Sequence, residues 1–306
     1  MPRLTINEVP EANRRCEVFV IGCGPAGSTI SAMLAQKGRD VAVVDKDRHP
    51  RFHIGESLLP LNMPILQELG VWQELNQIGI RKDAAEFESH AHSKTVCFEF
   101  SEAFDKRWPH AFQVRRSEFD HMLLKNAADK GARIYEGARV TSVEFGNLAR
   151  NEDSIVSLKL EDGTAQTWRT KFLVDASGRD TFLSNRFGIK RKNKKHASAA
   201  IFGHFRNARR NVGSAEGNIT IVWFAPRLVL VHPAQRRHHQ CRRGVLAGLH
   251  EIARNRPGNI FHADHRPGTR DCDALGQCAT DGTGNRHRQL FVRFRAHERR
   301  RLPHGR

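Results

Sequence analysis

The feature that most constrains this 306-residue chain is a glycine-rich turn between an apolar strand and a helix. The run Val18-Phe19-Val20-Ile21 is typical of a parallel strand buried on both faces, and Gly22-Cys23-Gly24-Pro25-Ala26-Gly27 follows it at once. The helix that starts there ends near Gly38, and a second apolar strand, Val41-Ala42-Val43-Val44, leads to Asp45. This order predicts the strand-helix-strand unit of a Rossmann-like, three-layer α/β fold.

The turn has the spacing of a dinucleotide-binding site. Gly22 permits the tight turn, Gly24 lets the backbone approach a pyrophosphate, and Gly27 lets the helix pack closely on the strand. The N-terminus of that helix then points at the phosphates, and the carboxylate of Asp45 can accept hydrogen bonds from a ribose. The cofactor-binding residues predicted in this unit are Gly22, Gly24, Pro25, Ala26, Gly27 and Asp45.

A second loop directed at the same site follows much later in the chain. Residues 134–145 and 155–160 have the patterns of short strands, and the second run ends at the turn Asp162-Gly163, so an inserted β-meander is predicted. The strand Phe172-Leu173-Val174 then returns to the first sheet and ends in Asp175-Ala176-Ser177-Gly178. The Asp175 carboxylate and the neighbouring amides could meet ribose or phosphate groups, and two such loops suit a long cofactor.

Composition changes abruptly near residue 225. Residues 1–224 contain 13 Lys and 20 Arg, whereas residues 225–306 contain 17 Arg, 9 His and no Lys. The net charge of +17 divides into +6 for residues 1–224 (33 basic minus 27 acidic residues) and +11 for residues 225–306 (17 minus 6). Most of the positive charge therefore lies in the second segment, and the high net charge is no evidence that the first segment binds nucleic acid. We predict a dinucleotide-binding domain with an incomplete substrate-binding portion over residues 15–224, and a disordered Arg/His-rich tail over residues 225–306.

Out-of-frame translation of a G+C-rich gene would explain such a tail. Permitted silent codons for residues 225–240, read one base later, give HHGWFWFIPLNDGITS, which contains the pattern W-x-W-x-I-P. A genuine nucleic-acid-binding tail is the alternative, although such tails usually mix Lys with Arg because both bind phosphate.

The rest of the composition indicates a reduced cytoplasmic setting. The three cysteines of residues 1–224 show no paired spacing, and no apolar run reaches the length of a membrane span. His238, His239 and Cys241 match no standard metal-ligand spacing. We therefore expect a cytoplasmic protein with no metal and no membrane partner.

Four stretches together resemble the FAD-dependent monooxygenases of the p-hydroxybenzoate hydroxylase fold. They are residues 22–27, 52–60, 113–120 and 175–179, and they occur in the order of that family. The form Gly55-Glu56-Ser57-Leu58-Leu59-Pro60 is similar to the flavin-dependent halogenase branch. The resemblance covers roughly residues 15–224 and implies FAD as the cofactor.

The resemblance also implies roles for further residues. In that family the position that matches Arg116 contacts the flavin, and the loop that matches Gly55-Glu56-Ser57 lies along it. On local evidence, Arg116 could equally be the i,i+4 partner of Asp120 on a solvated helix. Beyond the first turn, the expected cofactor-binding residues are Asp45, Lys46, Gly55, Glu56, Ser57, Arg116, Val140, Asp175 and Gly178.

The halogenase resemblance implies a catalytic lysine. Such enzymes use reduced FAD, O₂ and halide to make hypohalous acid, which reaches a lysine beside an aromatic or carrier-tethered substrate, and a separate flavin reductase supplies the reduced FAD. Their lysine lies in a K-x-G-A-x-F-like stretch after the G-E-S loop. In this chain the stretch matches residues 81–87, which supply Lys82 and have Ala84 in place of the expected Gly. Lys82 is the candidate catalytic residue, and an ordinary surface lysine is the alternative.

Two other function classes stay open. The W-x-W-x-I-P and late Gly-Asp motifs of the halogenases are absent from this reading frame. An FAD-dependent aromatic hydroxylase or a geranylgeranyl-reductase-like enzyme would share the cofactor site. A non-catalytic flavoprotein or a basic nucleic-acid-binding module is the alternative of another class.

Sequencing of the source DNA across codons 215–245 tests the origin of the tail. We expect a single-base insertion or deletion near codon 225 whose correction restores W-x-W-x-I-P. An uninterrupted reading frame would contradict this expectation and make the tail a genuine gene product.

Overall fold

The computed structural model describes residues 9–89, 91–191, 198–206, 211–224, 227–234 and 244–252. The chain divides into two compact units, Met1–Asp83 with Glu99–Lys195 and Ala84–Phe98 with His196–Arg306. In chain order the strands are β1 (Arg15–Ile21), β2 (Val41–Asp45), β3 (Ile80–Lys82), β4 (Ala84–Ser89), β5 (Lys94–Glu99), β6 (Ala111–Gln113), β7 (Arg133–Glu136), β8 (Ala138–Glu144), β9 (Ser154–Leu160), β10 (Ala165–Asp175), β11 (Ser198–Arg206), β12 (Ile219–Phe224), β13 (Arg227–Ala234) and β14 (Gly244–Ile252). The helices are α1 (Pro25–Gln36), α2 (Met63–Glu68), α3 (Trp72–Ile78), α4 (Arg116–Asp129) and α5 (Phe182–Arg186).

A six-stranded sheet in the order β7-β2-β1-β10-β9-β8 forms the centre of the first unit. Strands β7, β2, β1 and β10 are parallel, and the meander continues through the antiparallel strands β9 and β8. At the carboxyl end of β1, Ile21 pairs with Val44 of β2 on one side and with Asp175 of β10 on the other. The predicted α/β unit, the meander and the returning strand are therefore confirmed, and three strand ends lie side by side.

Alternate residues of β1 fill the cores on the two faces of this sheet, because successive side chains of a strand point to opposite sides. On one face Val18 and Val20 pack in a buried cluster with residues of the helices. On the other face Phe19 packs among residues of the meander and lies edge-on to Trp168, with the ring centroids 5.8 Å apart. All five residues of β2 are buried as well. The unbroken apolar runs read from the sequence thus correspond to strands covered on both faces.

The second unit contains a six-stranded sheet in the order β11-β14-β13-β12-β4-β5. Strand β12 runs parallel to β4 and antiparallel to β13. The carboxylate of Glu86 in β4 accepts hydrogen bonds from Asn211 at 2.8 Å, from Asn218 at 3.1 Å and from Thr220 at 3.3 Å. These bonds connect β4 to the segment that precedes and begins β12.

Two strands lie inside residues 225–306, for which a tail is predicted. Strand β13 pairs with β12 from Thr220↔Val231 to Phe224↔Arg227, and β14 pairs with both β13 and β11. The boundary predicted at residue 224 thus falls between two paired strands, which the prediction did not foresee. Residues 225–226, 235–243 and 253–306 lie outside the described residues, and for them the disordered tail stays a prediction.

Among the described residues, no helix has both the length and the apolar character needed to cross a membrane. In the same part of the chain, no cluster of three or more His, Cys, Asp or Glu side chains has the arrangement of a metal site.

Candidate functional site

Two loops meet at the carboxyl ends of β1 and β10 because their glycines have no side chains. A Cβ atom at Gly22, where φ is +100°, would lie 2.5 Å from the carbonyl oxygen of Ala176. A Cβ atom at Gly27 would lie 1.8 Å from the carbonyl oxygen of Gly22 and 3.3 Å from Cβ of Ala176. The distances of 2.5 Å and 1.8 Å to the two carbonyl oxygens are far below van der Waals contact, so positions 22 and 27 admit only glycine. The predicted roles of Gly22 in the turn and of Gly27 in helix packing match this geometry.

Open space lies beside Gly24. The nearest atom to a Cβ built there is Nη2 of Arg51, at 3.9 Å. Gly24 is the N-cap of α1, Pro25 is the first residue of that helix, and no side chain caps it. The amides of Ala26 and Gly27 have no carbonyl partner within the helix, because a helix leaves its first amides unpaired. Unpaired amides and the positive end of the helix dipole thus face space that fits a phosphate group.

The carboxylate of Asp45 lies at the end of β2 and is 5% exposed. Its Oδ2 accepts hydrogen bonds from the amide of Cys23 at 2.7 Å and from Nη2 of Arg51 at 3.0 Å. Its Oδ1 accepts one from the amide of Asp47 at 2.9 Å. A carboxylate has about four acceptor sites, so one of them is left for a ligand hydroxyl.

Arg51 is a site residue that the sequence reasoning missed. Its guanidinium contacts Asp45, borders the open space beside Gly24, and has a buried Nε atom with no hydrogen-bond partner. Its position directly before residues 52–60, one of the stretches that carry the resemblance, was the available signal.

The second loop is held by Asp175. Its Oδ1 accepts a hydrogen bond from the amide of Ser177 at 3.0 Å, and its Oδ2 accepts one from the amide of Leu183 at 2.8 Å. Gly178 then begins the single 3₁₀ turn Gly178–Asp180. Lys46, which follows β2, forms an ion pair with Asp180. The structure therefore brings Lys46, Asp175 and Gly178 to one end of the sheet, and their contact with a cofactor stays a prediction.

The loop that contains Gly55, Glu56 and Ser57 is attached to α4 through Arg116. Arg116 Nη1 donates to the carbonyl oxygen of Ile54 at 2.8 Å. The same guanidinium pairs with Asp120, with Nε–Oδ1 at 2.6 Å and Nη2–Oδ2 at 2.9 Å. The i,i+4 ion pair with Asp120 is therefore present, but it does not lie on a solvated face, because Asp120 is fully buried. The same guanidinium also holds the predicted flavin loop in place.

The side chain of Glu56 is buried next to the first residue of helix α4. Its carboxylate receives a hydrogen bond from the backbone amide of Arg116, which satisfies one amide of the first helical turn. Its Oε2 atom is buried and has no hydrogen-bond partner. Burial raises the pKa of Glu56, and the Arg116 amide and nearby arginines oppose this only in part.

Lys82 ends β3 and is completely buried, so the surface-lysine alternative is wrong. Its Nζ donates to Oγ of Ser57 at 2.7 Å and to the carbonyl oxygen of Leu58 at 2.5 Å. The ammonium also lies 5.3 Å from the centroid of the Phe100 ring. Burial lowers the pKa of Lys82 to about 8, because the charged form is desolvated.

Val140 is separate from these groups. Its side chain is buried in β8, in the core cluster that contains Phe19 and Trp168. The side chain is therefore a core residue, and a cofactor contact at this position would have to come from the backbone.

The first unit thus combines an open helix N-terminus, a buried carboxylate at the end of β2 and a second loop, which is the arrangement predicted for a dinucleotide site. The comparisons with known proteins agree. The family model of the FAD binding domain matches residues 15–274. A flavin-dependent halogenase of Armillaria mellea is 34% identical over 196 residues, which cover 63% of this chain and 38% of that protein. A 1H-pyrrole-2-carbonyl-[peptidyl-carrier protein] chlorinase of Pseudomonas fluorescens is 33% identical over 216 residues, with 63% and 46% covered.

A solved structure leads to the same group of proteins. The myxobacterial chondrochloren halogenase, described as a variant of FAD-dependent halogenases, matches with a TM-score of 0.68 and 28% identity over 79% of this chain and 53% of its own. The chain spans less than half the length of the two curated relatives named above. The family match also continues past the predicted boundary at residue 224 to residue 274.

Replacement of Gly24 by Ala separates binding from folding. We expect Gly24→Ala to weaken FAD binding about tenfold or more, because the added methyl occupies the space where a phosphate would approach, at little cost in stability. Gly27→Ala should instead destabilise the protein even without FAD, because its Cβ would overlap the Gly22 carbonyl. Flavin fluorescence titration and urea unfolding measure the two effects. Native-like FAD affinity of Gly24→Ala would contradict the assignment of this space.

The pH dependence of unfolding tests the burial of Lys82. Its folded pKa of about 8 lies below the ordinary lysine value of 10.5, so the unfolded state binds more protons between these pH values and stability rises with pH there. Relative to Lys82→Met, the native free energy of unfolding should gain roughly 3 kcal/mol between pH 7 and pH 10.5. Urea unfolding across this range measures the difference. Lys125→Met, at an exposed helical position, is the matched control, and equal pH slopes for the native protein and Lys82→Met would refute the prediction.

Proposed function

This chain belongs to the family of FAD-binding domains, and we propose on that premise that it acts as a flavin-dependent halogenase. The observation that carries the proposal is the buried ammonium of Lys82. Its Nζ is bound to Ser57 and Leu58, next to a loop whose other end is bound by Arg116. A lysine in a desolvated position beside the flavin loop is what halogen transfer requires.

When bound in its reduced form, FAD together with O₂ supplies the two-electron oxidation that converts a halide ion and a proton into hypohalous acid, with water as the second product. The residues of this chain bind and orient the cofactor. The α1 N-terminus binds the diphosphate, Asp45 accepts a hydrogen bond from a ribose hydroxyl, and Asp175 keeps the second loop in place.

Lys82 can act on hypohalous acid in two ways. As an ammonium it donates a hydrogen bond to the oxygen, which polarises the O–halogen bond and lets the halogen transfer to an aromatic carbon while water leaves. As an amine it takes the halogen to give a haloamine and water, and the haloamine then halogenates the carbon. In the first route the ammonium gives its proton to the leaving hydroxide, which becomes the water. In both routes the aromatic carbon then loses its proton to the lysine nitrogen. With a pKa of about 8, both protonation states are populated near neutral pH.

The proposed partners follow from the same chemistry. The substrate is an electron-rich aromatic group, free or tethered to a carrier protein, and halide and a separate flavin reductase complete the system. The relative from Pseudomonas fluorescens is named for a pyrrole on a peptidyl-carrier protein, and this name supports the carrier-tethered form. We also propose a cytoplasmic location, in keeping with the need for a reductase.

Halogenation by the purified 306-residue chain tests the proposal. With FAD, a flavin reductase, NADH, O₂ and chloride or bromide, we expect mass-spectrometric detection of a halogenated aromatic probe such as pyrrole or phenol. Lys82→Met should lose at least ~100-fold in product formation while it still binds FAD, since a missing catalytic group costs several kcal/mol. Lys125→Met is the control that should retain activity.

The outcome also separates the alternative functions. A hydroxylated product whose yield is unaffected by Lys82→Met would favour an aromatic hydroxylase. Absence of bound flavin together with salt-dependent DNA binding would favour a basic binding module.

A further inference from the structure

Ser57 and Lys82 are brought together by the backbone of β6. Ser57 forms an antiparallel bridge with Gln113 of β6. Lys82, in the neighbouring strand β3, pairs with Ala111 of β6. Because Gln113 and Ala111 are two residues apart, their paired residues on either side of β6 point to the same face. The contact between Ser57 Oγ and Lys82 Nζ, at 2.7 Å, is therefore set by strand pairing as well as by side-chain conformation.

The backbone around Ser57 is fixed on both sides. The amide of Leu58 donates to the carbonyl oxygen of Phe112 at 2.9 Å, and the amide of Val114 donates to the carbonyl oxygen of Glu56 at 2.8 Å. These bonds hold the hydroxyl of Ser57 and the carbonyl of Leu58 as a pair of acceptors for one ammonium. Two of the three N–H bonds of the Lys82 ammonium are therefore directed at these acceptors.

The charged side chains on the neighbouring elements are engaged elsewhere or exposed. The Glu56 carboxylate receives the amide of Arg116. Arg81 and Asp83, which flank Lys82, pair with each other at 2.9 Å. Glu102, in the short 3₁₀ turn that follows β5, is exposed. No carboxylate in the described part of the chain is paired with Lys82, so its charge is stabilised by neutral groups, the two acceptors and the Phe100 ring.

We propose that Ser57 is the positioning residue of Lys82, which keeps the buried lysine in its ammonium form and directs its remaining N–H bond. The proposal rests on the proposed function and deepens it. The sequence had indicated only a cofactor contact for Ser57. A hydrogen bond to the charged form raises a lysine pKa, so Ser57 opposes desolvation and favours the donor role of Lys82 over the haloamine route.

A titration of lysine ¹³Cε resonances tests this directly in the full chain. The chain has 13 lysines, and the resonance that is missing from Lys82→Met identifies Lys82. We expect a midpoint near pH 8 in the native protein. In Ser57→Ala the midpoint should fall by about one pH unit, because an acceptor to a buried charged group is lost. Ser57→Thr retains the hydroxyl and should restore the midpoint to within ~0.3 pH units.

The control is Ser31→Ala, which removes a buried hydroxyl in α1 that has no hydrogen-bond partner. It should leave the Lys82 midpoint unchanged. An equal midpoint in native protein and folded Ser57→Ala would overturn the proposal. If Ser57→Ala does not fold, Ser57→Cys replaces it. Because sulfur is a weaker acceptor, the midpoint should fall by a smaller amount, and an unchanged midpoint would again overturn the proposal.

Turnover gives a second readout. Ser57→Ala should lower kcat for halogenation about tenfold at pH 7 with KM for the aromatic substrate unchanged, because the lysine is misdirected rather than removed. The titration needs no turnover. A native chain that does not halogenate would therefore refute the proposed function, while the ¹³Cε midpoints still decide the role of Ser57.

Discussion

The contact between two backbone segments, one after β1 and one after β10, determines the geometry of this site. It joins residues more than 150 positions apart in the sequence, and it exists only because Gly22 and Gly27 place no Cβ atom against the carbonyls of Ala176 and Gly22. The amide of Ala176 also donates to the carbonyl of Ile21 at 2.9 Å. With the two segments in van der Waals contact, the start of α1 is fixed relative to the second loop, and the space beside Gly24 stays open between them.

The acidic residues of the site preorganise the loops before any ligand binds. Asp45, Glu56 and Asp175 each accept a hydrogen bond from a backbone amide of a neighbouring turn or of the first turn of a helix. Such bonds keep each carboxylate in place, so that little ordering remains to be done when a cofactor binds. These carboxylates therefore have a structural role in the loops, which the sequence motif, read for its cofactor alone, does not report.

Sequence reasoning succeeded where the requirement is local. The strand-helix-strand unit follows from a glycine-rich turn between an apolar strand and a helix, and the apolar runs of β1 and β2 follow from burial on both faces. Arg51 was missed because its role depends on a carboxylate six residues away and on the open space beside Gly24, which no periodicity encodes. The strand β13 was missed for another reason. Composition averaged over 82 residues hides an eight-residue strand whose Leu228–Val231 run is apolar.

The burial of Lys82 is the least predictable part of the site and the most informative. Its neighbours Arg81 and Asp83 are charged, so the local sequence favours a surface position, and only the pairing of β3 with β6 places its side chain inside. A buried ammonium without a carboxylate partner destabilises the fold, because its desolvation is offset only by neutral groups, namely two hydrogen-bond acceptors and the Phe100 ring. The burial of Lys82 therefore costs stability, and a buried group with a perturbed pKa is the kind of residue on which a functional proposal can rest.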